Sequence, residues 1–333
     1  ASLRPLTENL DVPDDAYADG ASTLKTIELL NEFDRDNKNF FLTVGFQKPH
    51  LPFTPPKIYW DLYQRDDIKL AEFQSKSIGS PQEAYHQSGE LRNYHDTEPS
   101  MDENGIVSEA KQRELIHGYM ASVSFIDAQV GMILDHLEST GLDENTVVVF
   151  FGDHGWHLGD HGLWNKHSNF EEATRTPLIF KSPDIDGGFV NDSPVELLDI
   201  FPTVCTLAGI PKPDDLDGIS LVPILEKKSE YLRDFAISQY PRRCNVMRSV
   251  IGRYPDDCTL MGYAVRNEKY RYIAWVSGNF EDRSDFNNDE IVMEELYDYE
   301  IDPLETKSYA SDASYQKVKE GMIKDLRSVI WEN

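Results

Sequence analysis

Several absences narrow what these 333 residues can be. The sequence has no apolar run of about 18 residues, so it offers no candidate membrane-spanning helix, and no membrane partner is expected. Basic residues are scarce: 32 lysines and arginines face 59 aspartates and glutamates, for a net charge of −27. Nucleic acid needs a positive footprint to displace its counterions, so no nucleic-acid partner is expected. An anionic substrate would have to enter through a locally basic pocket, against the global field. Cysteine is reduced to Cys205, Cys244 and Cys258, with no C-x-x-C, which argues against a cysteine-based zinc site. Cys205 falls in an apolar helical pattern and reads as core filler. The pairing of Cys244 with Cys258 is left open by the sequence. The first residue is Ala1 and no signal sequence is visible, so the expectation is a processed or partial chain whose compartment stays open.

What is present is the composition of a soluble globular protein, with 40% apolar and 27% charged residues. The length suits one large domain or two unequal ones. Leu24, Ile27, Leu30 and Phe33 recur at helical spacing, with Ser22 as N-cap. Residues 40–45 read as a buried strand, and helix followed by strand suggests an α/β layer. Residues 54–106 are polar and proline-bearing without a period. A long helix is expected from Ser108, with a stripe of Ile116, Met120, Val123, Ile126 or Val130, Ile133 and Leu137, and with Gly141 as its left-handed terminator. Residues 146–150 read as a parallel strand buried on both sides. Residues 177–180 read as another strand. Asp199 is expected to cap a helix that runs to Ala208, with Pro202 in its first turn. Residues 211–230 read as a linker. From residue 235 the pattern changes to four strands (235–240, 263–266, 270–276 and 295–299), with a hairpin at 267–269 and an amphipathic helix over 315–331. The expected organisation is an α/β part over 1–228 and a smaller α+β domain over 229–333, built from an antiparallel sheet and a helix.

The chemistry concentrates in residues 150–166, FFGDHGWHLGDHGLWNK, directly after the predicted strand at 146–150. Open α/β sheets place ligands at such strand ends. Asp153 and His154 are a candidate metal pair, carboxylate suiting a hard cation and imidazole a softer one. Lys166 is placed to set an ammonium against an anionic substrate and the charge that develops on reaction. Of His157 and His161, one is a candidate for bonding substrate and the other for supporting the loop, the latter preferred for His161. A second cluster, Lys48-Pro49-His50, follows the strand predicted at 40–45, with Pro49 and Pro52 stiffening the backbone around a histidine suited to binding an anion or acting as general acid.

Residues 44–53 (VGFQKPHLPF) and 152–166 resemble the type I sulfatases, and within them the iduronate-2-sulfatase branch. The similarity runs on in order through Ser168-Asn169-Phe170, residues 176–180, Asp199 to Thr203, Leu216-Asp217-Gly218, residues 238–242, Tyr270-Arg271-Tyr272 and Asp302-Pro303-Leu304-Glu305. The resemblance implies an alkaline-phosphatase-like α/β fold, a mixed sheet with helices on both faces, followed by the smaller C-terminal α+β domain. It implies sulfate-ester hydrolysis on a sulfated sugar or polysaccharide with one calcium ion, held in part by Asp153 and His154. Lys166 and His50 match the groups that contact the sulfate or the leaving oxygen. Trp156 matches the pocket wall. Arg242 is a pocket candidate by position, and Lys48 and His157 join the substrate-binding candidates.

One departure is large. The family nucleophile is a formylglycine made from Cys or Ser in a C/S-x-P-x-R motif, and no such motif occurs in this sequence. The Asp-Asp pair that supplies the other metal ligands is also not matched. The expectation is the C-terminal two-thirds of a sulfatase, inactive alone and needing an N-terminal segment or chain. Two other readings compete: a phosphodiesterase or phosphonate hydrolase of the same superfamily, and a non-catalytic paralogue that binds sulfated glycans.

Overall fold

The structure, a computed structural model, describes residues 4–97, 106–243, 259–278 and 291–330. The chain forms two compact units, Ala1–Glu72 with Ser88–Thr146, and Phe73–Gln87 with Val147–Asn333. The boundary expected at 228/229 falls inside the second unit.

The first unit is helical. It contains α1 (Ala18–Arg35), α2 (Lys57–Trp60), α3 (Gly89–Arg92) and the long α4 (Glu109–Thr140). α4 begins as expected: Ser108 accepts a hydrogen bond from Lys111 N at 3.4 Å, satisfying one of the orphan amides of the first turn. It ends at Gly141, whose φ of 74° is the left-handed conformation that suits glycine. Of the expected stripe, Ile116, Ile126 and Leu137 are buried and Val123 is exposed; Leu115, Gly118, Ser122, Phe125 and Gln129 also face inward. Two polar residues take core positions because each finds a partner: Ser122 Oγ donates to Gly118 O at 2.7 Å, and Gln129 Nε2 donates to Asp14 Oδ2 at 2.7 Å. At Gly118 a Cβ would stand 2.7 Å from Phe53 Cβ and 2.8 Å from the Trp60 ring, so only glycine lets these side chains reach the helix.

α1 starts at Ala18, four residues before the expected cap, and Ser22 lies inside it. The stretch at 40–45 forms no ladder among the described residues, and Phe41 is 84% exposed. Its apolar content is used locally instead, since Phe40 stacks on Phe33 of α1 with ring centroids 5.3 Å apart.

The second unit carries β1 (Val148–Phe151), β2 (His157–Leu158), β3 (Trp164–Asn165), α5 (Glu171–Thr174), β4 (Leu178–Lys181), α6 (Ile200–Leu207), α7 (Val222–Leu225), β5 (Ala236–Arg243), β6 (Thr259–Arg266), β7 (Tyr270–Gly278), β8 (Ile291–Asp298) and α8 (Gln316–Ile330). β1 pairs antiparallel with β4, from Val148 opposite Lys181 to Phe151 opposite Leu178. The expectation of a parallel strand buried on both sides is therefore corrected. Among the described residues β4 is its only ladder partner, and Phe151 is half exposed. Asp199 does not cap α6 with its side chain. Its carboxylate instead accepts from Glu196 N at 2.8 Å and Ile219 N at 2.9 Å, and pairs with Arg233. Cys205 of α6 is buried and unpaired, as core filler should be. Cys244 and Cys258 lie outside the described residues.

β5 to β8 form an antiparallel meander in sequence order, with α8 beyond it. Strand alternation gives the sheet two apolar faces. One face, with Met261, Val265, Tyr272 and Leu296, packs on Met322 and Leu326 of α8. The other, with Leu260, Ala264, Ile273 and Trp275, packs on Leu163, Phe170 and Tyr85. The meander thus serves as the floor under the chemistry-bearing loop.

Candidate active site

The loop after β1 is a scaffolded hairpin. Its base is tied by Gly152 N to Pro177 O at 3.1 Å and by Thr176 Oγ1 to Gly152 O at 2.8 Å. Gly155 N then bonds Ala173 O at 2.9 Å, and a Cβ on Gly155 would stand 2.0 Å from Glu172 O, so the chain passes where only glycine fits. β2 and β3 pair across a turn in which Gly159, His161 and Gly162 all take positive φ. The turn is anchored from outside by His161 N bonding Phe73 O at 2.9 Å.

On this scaffold four of the expected site residues form one continuous run. Asp153 Oδ1 accepts from His154 N at 3.1 Å, and its Oδ2 stands 3.7 Å from His154 Nε2. The carboxylate is 84% exposed. The His154 ring is oriented by a 2.8 Å contact between Nδ1 and Gly155 O, which leaves Nε2 as the nitrogen that can ligate. The same ring lies nearly parallel to Trp156, centroids 6.1 Å apart. The Lys166 ammonium sits over the Trp156 ring, 5.1 Å from its centroid, within cation–π reach. Carboxylate, imidazole, indole and ammonium therefore succeed one another along one edge of the hairpin.

A carboxylate oxygen and an imidazole nitrogen 3.7 Å apart fit two positions of a divalent-cation shell. Calcium takes six to eight oxygen donors, so this pair would form only part of one.

His157 is fully buried, and its Nε2 lies 2.8 Å from Ser168 Oγ. Burial drives its pKa well below the ordinary value, so the ring is neutral and sits beneath the surface. Arg242 gives its guanidinium to three backbone carbonyls, of Glu83 at 2.8 Å, Ala84 at 3.3 Å and His167 at 2.5 Å. It thereby clamps the segment after Lys166 to the segment around Ala84.

In the first unit, His50 Nδ1 lies 2.9 Å from Leu51 O, and its Nε2 is 3.7 Å from Glu90 Oε2. It borders a cavity of ≈ 350 Å³ that is also lined by Arg4, Glu90, Asn93 and Tyr94. Both Lys48-Pro49 and Leu51-Pro52 are cis. Lys48 is buried, donating from Nζ to Pro52 O at 2.7 Å and His50 O at 3.4 Å; burial lowers its pKa, against the pull of the Asp19 carboxylate.

Three supporting residues are not among the expected site residues. Asp19, 5% exposed in the first turn of α1, accepts from Gln47 N at 2.8 Å and Lys48 N at 3.0 Å and so fixes the His50 turn. Thr176 and Ser168 do similar work under the hairpin. Asp19 acts 28 positions along the chain, a distance at which no periodicity or cap motif speaks.

Comparison with known proteins bears on the family and the fold. The sulfatase family matches residues 3–210, and the family "N-sulphoglucosamine sulphohydrolase, C-terminal" matches residues 159–332. Iduronate 2-sulfatase of Mus musculus is 32% identical over 95% of this chain, which spans 65% of that protein's length. A phosphonate monoester hydrolase of Agrobacterium radiobacter superposes with a TM-score of 0.71 at 23% identity, over 98% of this chain and 63% of that one. A protein solved with its substrate D-glucosamine-2-N,6-O-disulfate superposes with a TM-score of 0.72 at 22% identity, over 94% of this chain and 69% of that one. At these identities the two structures speak for the fold alone.

Proposed function

Because this chain belongs to the sulfatase family and has its alkaline-phosphatase-like α/β fold, we propose that it supplies the metal- and sulfate-binding part of a sulfuric-ester hydrolase acting on a sulfated sugar. The resemblance to iduronate 2-sulfatase makes a 2-O-sulfated uronic acid the substrate class to test first. The observation that carries the reading is the run of Asp153, His154, Trp156 and Lys166 on one rigid hairpin.

In this reading Asp153 and His154 hold one side of a calcium ion. When bound, the ion supplies Lewis-acid stabilisation of the sulfate oxygens. Lys166 places its ammonium on the sulfate, and Trp156 both orients that ammonium and walls the sugar pocket. His50 donates a proton to the leaving oxygen. Lys48, His157 and Arg242, whose polar atoms meet backbone carbonyls or Ser168, hold the substrate-facing groups in place. The nucleophile is assigned to polypeptide beyond these 333 residues, because the C/S-x-P-x-R motif is not among them.

The test is turnover of an aryl sulfate, a 2-O-sulfated uronate disaccharide and a phosphate diester, by the isolated chain and by the full-length protein, with and without chelator. Chelator-sensitive sulfate release by the full-length protein alone is expected. Full turnover by the isolated chain would sink the divided site. Preference for the diester would favour a phosphodiesterase, and glycan binding without turnover would favour the non-catalytic reading.

A further inference from the structure

A second cluster lies under the hairpin, away from Asp153. The His161 ring, 1% exposed, aims its Nε2 at two carboxylates: Glu172 Oε2 at 3.8 Å and Glu305 Oε2 at 3.9 Å. These distances are too long for hydrogen bonds. Three ligand-type atoms, all within 4.8 Å of one another, thus converge on one point. Glu172 Oε2 is itself buried and has no hydrogen-bond partner. A buried carboxylate oxygen left so costs free energy unless something positive meets it.

The neighbours do not supply that charge. Arg271 is the cation nearest the cluster, but its donors are committed: Nη1 to Asn169 O at 2.7 Å, Nη2 to Glu171, and Nε to Glu305 Oε1 at 3.1 Å and Tyr299 OH at 2.7 Å. Arg266 also pairs with Glu171, at 3.2 Å. Two guanidinium groups therefore face Glu171 and Glu305, and Glu172 is the third carboxylate. Asp160 and Asp302 add further negative charge around Glu172 and His161.

We propose that His161, Glu172 and Glu305 form a binding site for one divalent transition metal of the zinc class, separate from the pair at Asp153 and His154. One imidazole and two carboxylates are donors that zinc accepts. At zinc bond lengths, neighbouring ligand atoms stand about 3.4 Å apart, so the imidazole has to close by about half an ångström on each carboxylate, and the two carboxylate oxygens, within 4.8 Å of each other, by no more than about 1.4 Å. Glu172 keeps 24% of its side chain exposed, which gives the ion a way in. The three ligands come from the hairpin turn, α5 and the segment after β8. A bound ion would therefore cross-link the turn of the site loop to the rest of the second unit.

The test is zinc retention by the 333-residue chain after equilibrium dialysis, in an Asp153→Asn background that removes the exposed carboxylate of the other pair. Asp153→Asn protein should retain about one equivalent of zinc, and Asp153→Asn/Glu172→Gln should bind at least tenfold more weakly with an unchanged far-UV spectrum. Equal retention by both proteins, or none by the first, overturns the site. X-ray absorption at the zinc edge of the Asp153→Asn protein decides the matter even if the double variant fails to fold. One imidazole nitrogen with oxygen donors is expected, and a sulfur donor or a shell without imidazole refutes it.

Discussion

Replacing Asp19 by alanine removes the carboxylate that holds the backbone of Gln47 and Lys48. Its two oxygens each accept one backbone amide, Gln47 N at 2.8 Å and Lys48 N at 3.0 Å, in a site 5% exposed. Hydrogen bonds to a charged group contribute roughly 1.5–3 kcal/mol each, and a negative charge in the first turn of a helix adds about 0.3–1 kcal/mol. The change to alanine should therefore cost about 4 kcal/mol. The change to asparagine keeps one acceptor but turns an amide donor toward the other N–H, and should cost about 2–3 kcal/mol. A chain with two compact units need not unfold in one step, so a global midpoint is a poor readout. Hydrogen exchange over residues 44–53 is the better assay, since about 4 kcal/mol corresponds to nearly a thousandfold faster local opening. Unchanged exchange at Gln47 and Lys48 in Asp19→Ala, with wild-type stability, would refute the claim that Asp19 fixes the His50 turn.

Other expectations follow from the same geometry. In metal-free buffer, the folded chain keeps the Glu172 proton up to about 8 while the unfolded chain releases it near 4.5, so wild-type stability should fall as pH rises between those values. His161, neutral down to about 4 in the fold, gives the opposite slope below its ordinary 6.5. From pH 6.5 to 8, then, Glu172→Gln should gain about 2 kcal/mol on wild type, at about 1.36 kcal/mol per pH unit, and parallel pH-stability curves would contradict this. Gly155→Ala drives a methyl group to 2.0 Å from the Glu172 carbonyl and should cost at least about 3 kcal/mol, seen as lost soluble yield or a lowered Tm. Lys166→Ala in the full-length protein should lower kcat/KM for a sulfate ester by roughly 10²–10³, and a change under fivefold would remove Lys166 from the site.

The parts legible in the sequence are those whose signals are local. Ser108 and Gly141 bracket α4 because cap chemistry is written within a few residues of each helix end. The meander and α8 were legible from aromatic and β-branched runs and from the hairpin at Asn267. The errors come from longer range. Val123 looked like core because it falls at helical spacing from Met120 and Ile126, yet Ser122 and Gln129 take inward positions once Gly118 and Asp14 give them partners. Residues 40–45 have the composition of a buried strand, but composition does not supply a ladder partner. For the candidate site, residues 150–166 stood out by density alone. The supports did not: Asp19 serves residues 47 and 48, and Glu305 meets His161 from 144 positions away, contacts that only the folded chain defines.

The anchoring of the hairpin also bears on how this protein can evolve. Its backbone is bonded to residues 73, 173 and 177, and it passes Glu172 with no room for a Cβ. An insertion or deletion between Gly152 and Lys166 would break several of those bonds at once, so the loop has almost no freedom of length. Drift in what the protein recognises must then be carried by segments outside the hairpin. Chemistry and selectivity would diversify at different rates along one chain, the first nearly frozen and the second open to trial.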